Sequence, residues 1–306
     1  MKLVAVVGAT ATGKSALGLH LAEAFGGEII SADSTAVYRR IDIGTDKVPL
    51  PERRGIPHHL IDIVEPTETY SAARFAADAA VAARQIVARG RVPILVGGTG
   101  FYVRALIRGM FPGPARHDET RARLDAIAAR RGVERLHRWL ARVDAPSALR
   151  IQPRDQKRLV RALEVRLLTG RSLTEHFENT VSAIPDFDVL TLGLMLPRDV
   201  LRPRVARRVD EQFARGVVAE VRTLLADGVP PAAHAFSGLV YRQVMDLLRG
   251  VRGEAETRAL IVQENMRYAR RQAIWFRKEA GILWLDGAGE SAATQAQAAA
   301  TVSAFL

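Results

Sequence analysis

Over the first ~110 residues, short apolar runs alternate with helical spacings. Leu3–Val7 is continuously apolar and predicts a buried strand, Lys14–Phe25 a helix, Glu28–Ser31 a second strand and Leu60–Ile63 a weaker one. Ser71–Arg89 is Ala-rich with helical spacing, and Val92–Val96 reads as a strand closed by Gly97-Gly98. Strands alternating with helices argue for a parallel sheet covered by helices on both faces.

The pattern changes at Phe111-Pro112-Gly113-Pro114. From 117 to 178 the strand signal disappears, and Asp118–Arg131, Val133–Val143 and Arg154–Leu168 read as Arg-rich amphipathic helices broken by Gly132, Pro146, Pro153 and Gly170. Asp188–Leu196 returns to β-type patterning, helices follow at about 199–226, 238–249 and 254–279, and Ile282–Leu285 reads as a last short strand. The expected fold is α/β. Residues 1–112 and 183–286 form a core of parallel sheet flanked by helices, and 113–182 an all-helical insertion. Residues 287–306 are an Ala-rich tail, read as a loose helix or partly disordered.

Composition narrows the function. The 306 residues suffice for about two domains, and 48% hydrophobic with 25% charged residues is a globular balance. No apolar run approaches the roughly 18–20 residues of a membrane span. The opening Met1–Gly8 lacks the long apolar region and cleavage site of a signal peptide. The absence of cysteine removes disulfides, Cys-ligated zinc, iron–sulfur clusters and thiol nucleophiles, and fits a reducing cytoplasm. His58 and His59 are adjacent and do not face one ligand from a regular element; they read as structural or as near a site rim. A net charge of +11 favours a polyanionic partner: nucleic acid, a phosphorylated ligand or an anionic surface.

The strongest local signal is Gly8-Ala9-Thr10-Ala11-Thr12-Gly13-Lys14-Ser15, a G-x-x-x-x-G-K-[ST] loop between an apolar strand and a helix. Its glycines let backbone N–H groups wrap an anion at a helix N-terminus. Lys14 adds a full charge, and the Ser15 hydroxyl can ligate Mg²⁺. The loop predicts binding of ATP or another di- or triphosphate and does not by itself imply hydrolysis. Val92–Val96 ends in Gly97-Gly98-Thr99-Gly100 without the carboxylate an ATPase needs, whereas Asp33 follows the apolar Ile29-Ile30 and can touch a metal or act as a base.

The segment Ser31-Ala32-Asp33-Ser34-Thr35-Ala36-Val37-Tyr38, continuing to Ile43-Gly44-Thr45-Asp46-Lys47, joins the loop and Gly97-Gly98-Thr99-Gly100-Phe101-Tyr102 in one ordered set. So do Pro57-His58-His59, Arg158–Val165, Tyr241-Arg242-Gln243 and Arg270–Arg277. The set resembles the bacterial tRNA isopentenyltransferase family. Departures include Ala36 at a position often Gln and Val240 at one usually Gly. The resemblance implies a P-loop NTPase-like core and transfer of dimethylallyl from dimethylallyl diphosphate to N6 of adenosine at tRNA position 37, assisted by Mg²⁺. It implies catalytic roles for Asp33 as base, Thr99, Lys14 and Arg242, with diphosphate held by residues 8–15. It assigns the 113–182 insertion to binding the tRNA anticodon stem-loop and places tRNA contacts on Asp33, Ser34, Thr35, Ala36, Thr99, Arg121, Gln156, Lys157, Arg158, Leu159, Val160, Arg161, Arg270, Arg271 and Arg277.

Alternatives remain at this level. Asp33 reads equally as a turn cap, Thr99 as a helix N-cap and Arg242 as a surface charge. Arg154, Lys157, Arg158 and Arg161 recur at i, i+3, i+4 and i+7, a helical stripe that serves either RNA or solvent. Tyr268, Trp275 and Phe276 read as core anchors rather than base-stacking platforms. A prenyltransferase of free adenine nucleotides, a small-metabolite kinase and an inactive RNA-binding protein are the competing classes. The expected partners are an anticodon stem-loop and dimethylallyl diphosphate, and the expected state is a monomer.

Overall fold

The computed structural model describes residues 1–111, 113–178 and 180–306. Pro112, in the predicted break between core and insertion, lies outside the described residues. The chain forms two compact units, residues 1–107 with 183–306 and residues 108–182.

The first unit opens with β1 (Lys2–Gly8), α1 (Lys14–Phe25), β2 (Gly27–Ser31), β3 (His58–His59), α2 (Ala72–Ala88), β4 (Val92–Gly97) and α3 (Gly100–Ile107). The second unit then contributes α4 (Asp118–Arg131), α5 (Val133–Val143), α6 (Ala145–Arg150), α7 (Gln156–Thr169) and α8 (Leu173–Glu178). The chain returns with β5 (Asp188–Met195), α9 (Arg198–Ala214), α10 (Val217–Ala226), α11 (Leu239–Leu248), α12 (Glu254–Arg277), β6 (Ile282–Asp286) and α13 (Ala292–Phe305).

All six strands are parallel, in the order β3-β2-β4-β1-β5-β6. Central β1 is apolar throughout because both of its faces are covered: Leu3 to Val7 have no exposure. Leu17 and Leu21 of α1 pack onto Val4, Ile29, Ile94 and Leu192. In an open parallel sheet, ligands bind beyond the carboxyl ends of the strands. The loop after β1, the Asp33 turn after β2 and the Thr99 turn after β4 all emerge there.

Three expectations change. Leu60–Ile63 is not a strand: Leu60 and Asp62 have φ of 62° and 56°, and Ile63 and Val64 donate to Val37 O rather than extending the sheet. The helix expected at about 199–226 is two, divided at Gly216, whose φ of 91° breaks the ladder. The tail is not loose. Ser291 caps α13 by accepting from Thr294 N, and buried Ala298 and Val302 join the α1 core cluster. Its alanines disguise the helix in sequence, yet full burial of a valine such as Val302 contributes roughly 1.5–3 kcal/mol.

The second unit buries Leu124, Leu136, Leu140, Leu159, Leu163 and Val165 in its own core. Asp155 caps α7 by accepting from Arg158 N at 3.2 Å. Arg154 therefore precedes the helix and pairs with Glu134, outside the stripe predicted for it. The sequence pattern also missed α6 and α8. Buried Asp144 ties them together, accepting from Ser147 N at 3.1 Å and Thr174 Oγ1 at 2.6 Å.

Candidate active site

Backbone geometry prepares the loop after β1 for an anion. Its carbonyls turn outward and find donors. Ala9 O accepts from Thr12 Oγ1 at 2.9 Å and Lys14 Nζ at 2.6 Å. Ala11 O accepts from Arg204 Nε at 2.7 Å, and Thr12 O from Gly289 N at 2.9 Å. The amides of residues 11–15 have no protein acceptor among the described residues and remain available to an anion. Gly13 is required twice over: its φ is 89°, and a Cβ would sit 2.7 Å from Gly289 N. Lys14 is partly buried, and desolvation first, then the Arg208 charge, lowers its ammonium to about 8 against the opposing pull of Asp33.

The loop forms one wall of a cavity of about 330 Å³. Asp33, Ala36, Lys47, His58, Gly97, Gly98, Tyr268 and Gln272 contribute to the rest of it. Asp33 Oδ1 accepts from Thr35 N at 2.8 Å, Thr35 Oγ1 at 2.6 Å and Ala36 N at 3.3 Å. Its Oδ2 has no hydrogen-bond partner among the described residues. The turn-cap and proton-acceptor readings are thus compatible, one oxygen for each. Thr99 Oγ1 accepts from Ser34 N at 3.2 Å, and Thr99 N donates to Ala32 O at 3.3 Å, so the turns after β2 and β4 hold each other. Gly97 permits this approach, because a Cβ there would lie 2.2 Å from Ala32 O.

Several lining residues carried no assignment from the sequence. Arg204, Arg207, Arg208 and Glu211 of α9 line the cavity. Their i, i+3, i+4, i+7 spacing was the available signal. Arg208 NH1 donates to Thr10 Oγ1 at 2.8 Å, and its Nε pairs with Asp46 at 2.8 Å. Arg204 pairs with Glu290 at 2.5 Å. Gln272 of α12 is buried and bridges two turns: its Oε1 accepts from Thr10 N and its Nε2 donates to Gly98 O, each at 2.8 Å. Tyr268 is not a plain core anchor. Its ring lines the cavity, and burial first, then the Asp33 charge, pushes its phenol up to about 12. Phe276 is fully buried and Trp275 packs against Gly100, so these two are structural.

Other predicted residues lie elsewhere or are occupied. Arg242 does not line the cavity; on α11 it donates to Glu264 at 2.7 Å, and the cationic positions near the loop belong to α9. Val240, at the family's usual Gly position, is buried inside unbroken α11. Neighbouring Tyr241 donates to Glu220 at 2.6 Å and accepts from Gly44 N at 2.9 Å, fixing the Asp42–Gly44 loop. Lys47 reaches Asp42 and Asp62, both at 2.6 Å, and is neutralised. Of the histidines, His58 is at the cavity and His59 bonds Glu28 at 2.7 Å.

The predicted RNA contacts on the second unit divide sharply. Leu159 and Val160 are core residues, so their side chains cannot meet RNA. Arg121 and Arg161 both bond fully buried Glu164, at 2.8 and 2.7 Å. Burial alone would raise the Glu164 carboxyl, but Arg121, His117 N–H and Arg161 hold it down to about 2. Gln156 bonds Asp125 at 2.7 Å and Arg158 pairs with Asp155 at 3.3 Å, while Lys157 is exposed. On α12, Arg270, Arg271 and Arg277 are exposed; Arg271 lies over the Tyr268 ring and Arg277 reaches the Met195 sulfur.

Comparison with known proteins agrees with this geometry. Residues 36–279 match the family model described as IPP transferase. The tRNA dimethylallyltransferase of Thermomicrobium roseum is 49% identical over 285 residues, 93% of this chain and 86% of that protein. The Solibacter usitatus enzyme of the same name is 47% identical over 309 residues, covering 100% of this chain and 99% of its own. The crystal structure of the full-length tRNA isopentenylpyrophosphate transferase from Bacillus halodurans superposes with a TM-score of 0.73 at 36% identity, over 99% of this chain and 96% of that one. A eukaryotic dimethylallyltransferase acting on tRNA gives 0.80 at 28% identity, over 99% and 77%. With the family model matched over most of its length and relatives of 47–49% identity along nearly all of it, the chain, with its phosphate loop and parallel sheet, belongs to the IPP transferase family.

Proposed function

We propose that this chain transfers the dimethylallyl group of dimethylallyl diphosphate to N6 of adenosine at tRNA position 37 and releases diphosphate. The shared cavity carries the reading, because Lys14, Arg204 and Arg208 line it together with Asp33 and Tyr268. The relatives that bear the name tRNA dimethylallyltransferase support it.

The allylic C1–O bond breaks and its electron pair leaves on the diphosphate; N6 bonds to C1 and loses a proton. Lys14, the α9 arginines and the free loop amides stabilise the negative charge that grows on the leaving group. Asp33 Oδ2 takes the N6 proton, while Oδ1 stays fixed in its turn. Thr99 keeps that turn in register through Ser34 N. Extraction of the adenine from its stack precedes the chemistry, and exposed Arg270 and Arg271 stand ready for RNA phosphates.

The donor set suits Mg²⁺ only as a shared ligand. Ser15 offers an exposed hydroxyl at the cavity, and no group of three or more His, Cys, Asp or Glu able to hold a metal is present among the described residues. Ser15 would hold the ion through its hydroxyl, and magnesium accepts sites with so few protein oxygens. Bound there, it would neutralise charge on the leaving group. The reading takes the enzyme to act as a monomer. No helix among the described residues is long and apolar enough to cross a membrane, and the reading places the enzyme in the cytoplasm with its tRNA.

The test is mass spectrometry of an unmodified anticodon stem-loop with three consecutive adenosines, incubated with the protein, Mg²⁺ and dimethylallyl diphosphate. A mass gain of one dimethylallyl group on the RNA is expected. A gain on free AMP alone, or ATP consumption against a small metabolite, would replace the reading.

A further inference from the structure

The α4–α5 groove of the second unit stands apart from every charge cluster described above. Residues 108–182 hold sixteen of the 44 basic and nine of the 33 acidic residues, a net of +7 out of +11. Most basic side chains on and beside α7 are answered by carboxylates: Arg161 of α7 and Arg121 of α4 by Glu164, Arg158 by Asp155, and Arg154, just before the helix, by Glu134. The arginines of the groove are not. Arg130 and Arg131 of α4 and Arg135, Arg138 and Arg142 of α5 line a cavity of about 510 Å³ beside half-buried Trp139. None of the five forms an ion pair with a carboxylate among the described residues, although Glu134 feels the charge of Arg138.

Helical geometry makes this a single strip. Arg135, Arg138, Trp139 and Arg142 fall at i, i+3, i+4 and i+7 of α5, one face roughly 10 Å long. Arg135 and Arg138 are three residues apart on α5 and Arg138 and Arg142 four, spacings at which like charges repel. The groove thus concentrates positive charge with no ion-paired carboxylate among the described residues, on a two-helix support, around an apolar ring. Guanidinium forks match phosphate oxygens, and a row of them spans successive phosphates of one strand.

We propose that the α4–α5 groove binds the sugar–phosphate backbone of the substrate RNA, independently of sequence, and that it supplies more of this unit's electrostatic grip than the α7 residues do. The inference rests on the RNA reading above. Phosphates occupy the guanidiniums and a ribose or base edge lies against Trp139. An acidic protein partner would use the same charges and is the outcome that the RNA measurements exclude.

The experiment measures direct binding of a labelled anticodon stem-loop across a salt series, together with transfer kinetics, for wild type and for Arg135→Gln/Arg138→Gln/Arg142→Gln. A control, Arg91→Gln/Arg202→Gln/Arg222→Gln, removes equal charge from exposed positions of the other unit. The groove variant should raise Kd and KM for RNA about tenfold or more, with kcat held within twofold. Its plot of log affinity against log salt should flatten by about two to three. Its melting temperature should hold or rise, because repulsion is relieved. Binding and salt slope equal to wild type, or the same losses in the control, overturn the proposal. RNA binding is read without turnover, so absence of transfer by the wild type would count against the proposed function and not against the groove. A second measurement is independent of the arginines: RNA should quench tryptophan fluorescence in the wild type, and Trp139→Phe should remove that quench. A quench that persists unchanged places the RNA elsewhere.

Discussion

Replacing Lys14 with Met should stabilise the ligand-free protein while destroying its activity. The ammonium is held in a partly buried position beside Arg208, which lowers it from 10.5 to about 8. Unfolding restores the ordinary value, so the unfolded chain binds the proton more tightly and the charged lysine opposes folding at neutral pH. The difference corresponds to about 3 kcal/mol below pH 8 and vanishes above pH 10.5. Methionine also gives up the bond from Nζ to Ala9 O, worth about 1 kcal/mol. Ala9 O keeps its second donor, Thr12 Oγ1, so no buried acceptor is orphaned. The net gain at pH 7 is therefore about 2 kcal/mol.

Urea unfolding of both proteins from pH 7 to 10.5, with and without inorganic pyrophosphate, checks the argument. Lys14→Met should unfold at higher urea at pH 7. Its advantage should shrink as pH rises from 8, since the wild type gains stability through that window when Lys14 loses its proton. Comparing the two proteins cancels the tyrosines, which titrate in both. Pyrophosphate should reverse the order, because it binds the folded wild type far better. A variant less stable than wild type at pH 7 without ligand, or an advantage that does not shrink with pH, refutes the reasoning.

Asp33→Asn keeps an acceptor for Thr35 N and Ala36 N but removes the charge that takes the N6 proton. Single-turnover transfer should slow about 100-fold or more with RNA affinity unchanged, and a loss under tenfold would remove the base role. Gln272→Ala leaves Thr10 N and Gly98 O without their partner. Chemical denaturation should show a loss of about 2–4 kcal/mol, with a higher KM for dimethylallyl diphosphate; an unchanged KM would mean the bridge does not shape the loop. Glu164→Gln breaks a buried two-arginine site and should cost about 3–5 kcal/mol at pH 7. With the carboxyl held down to about 2, the stabilisation is present above pH 4.5 and is lost as pH falls toward 2. Circular dichroism across that range should show the variant and wild type converging, and parallel acid curves would contradict the assignment.

The loop motif, the apolar strands and the helical insertion were legible because each is local: residues adjacent in sequence set the period, the turn and the anion cradle. What escaped the sequence was assembled across distance. Gln272 reaches a loop 262 positions away, and Arg204 and Arg208 arrive from nearly 200 positions away. Their spacing showed a charged helical face but not what lay opposite. Likewise α13 failed to register because an alanine-rich helix has little contrast between its faces, and only the α1 surface decides which one is buried. Asp33 illustrates a different limit. The sequence set turn cap against base as rivals, and the structure assigns one carboxylate oxygen to the turn and leaves the other free.

The same reasoning explains why a net charge of +11 is a poor guide to which arginines act. A guanidinium is available to a phosphate only where the fold has not already answered it. On α7 the charges that resemble an RNA stripe are largely spent on Glu164, Asp155 and Glu134. On α9 they are spent only in part: Arg208 holds Asp46 and Thr10, Arg204 holds Glu290 and Ala11 O, yet both still face the cavity. Those bonds fix the side chains before an anion arrives, so less ordering remains when diphosphate binds. In the α4–α5 groove no carboxylate among the described residues pairs with Arg130, Arg131, Arg135, Arg138 or Arg142, and the repulsion stored there is relieved by a polyanion. Three identical chemistries thus serve structure, pre-organised binding and open electrostatic attraction, and the distribution of carboxylates makes the difference.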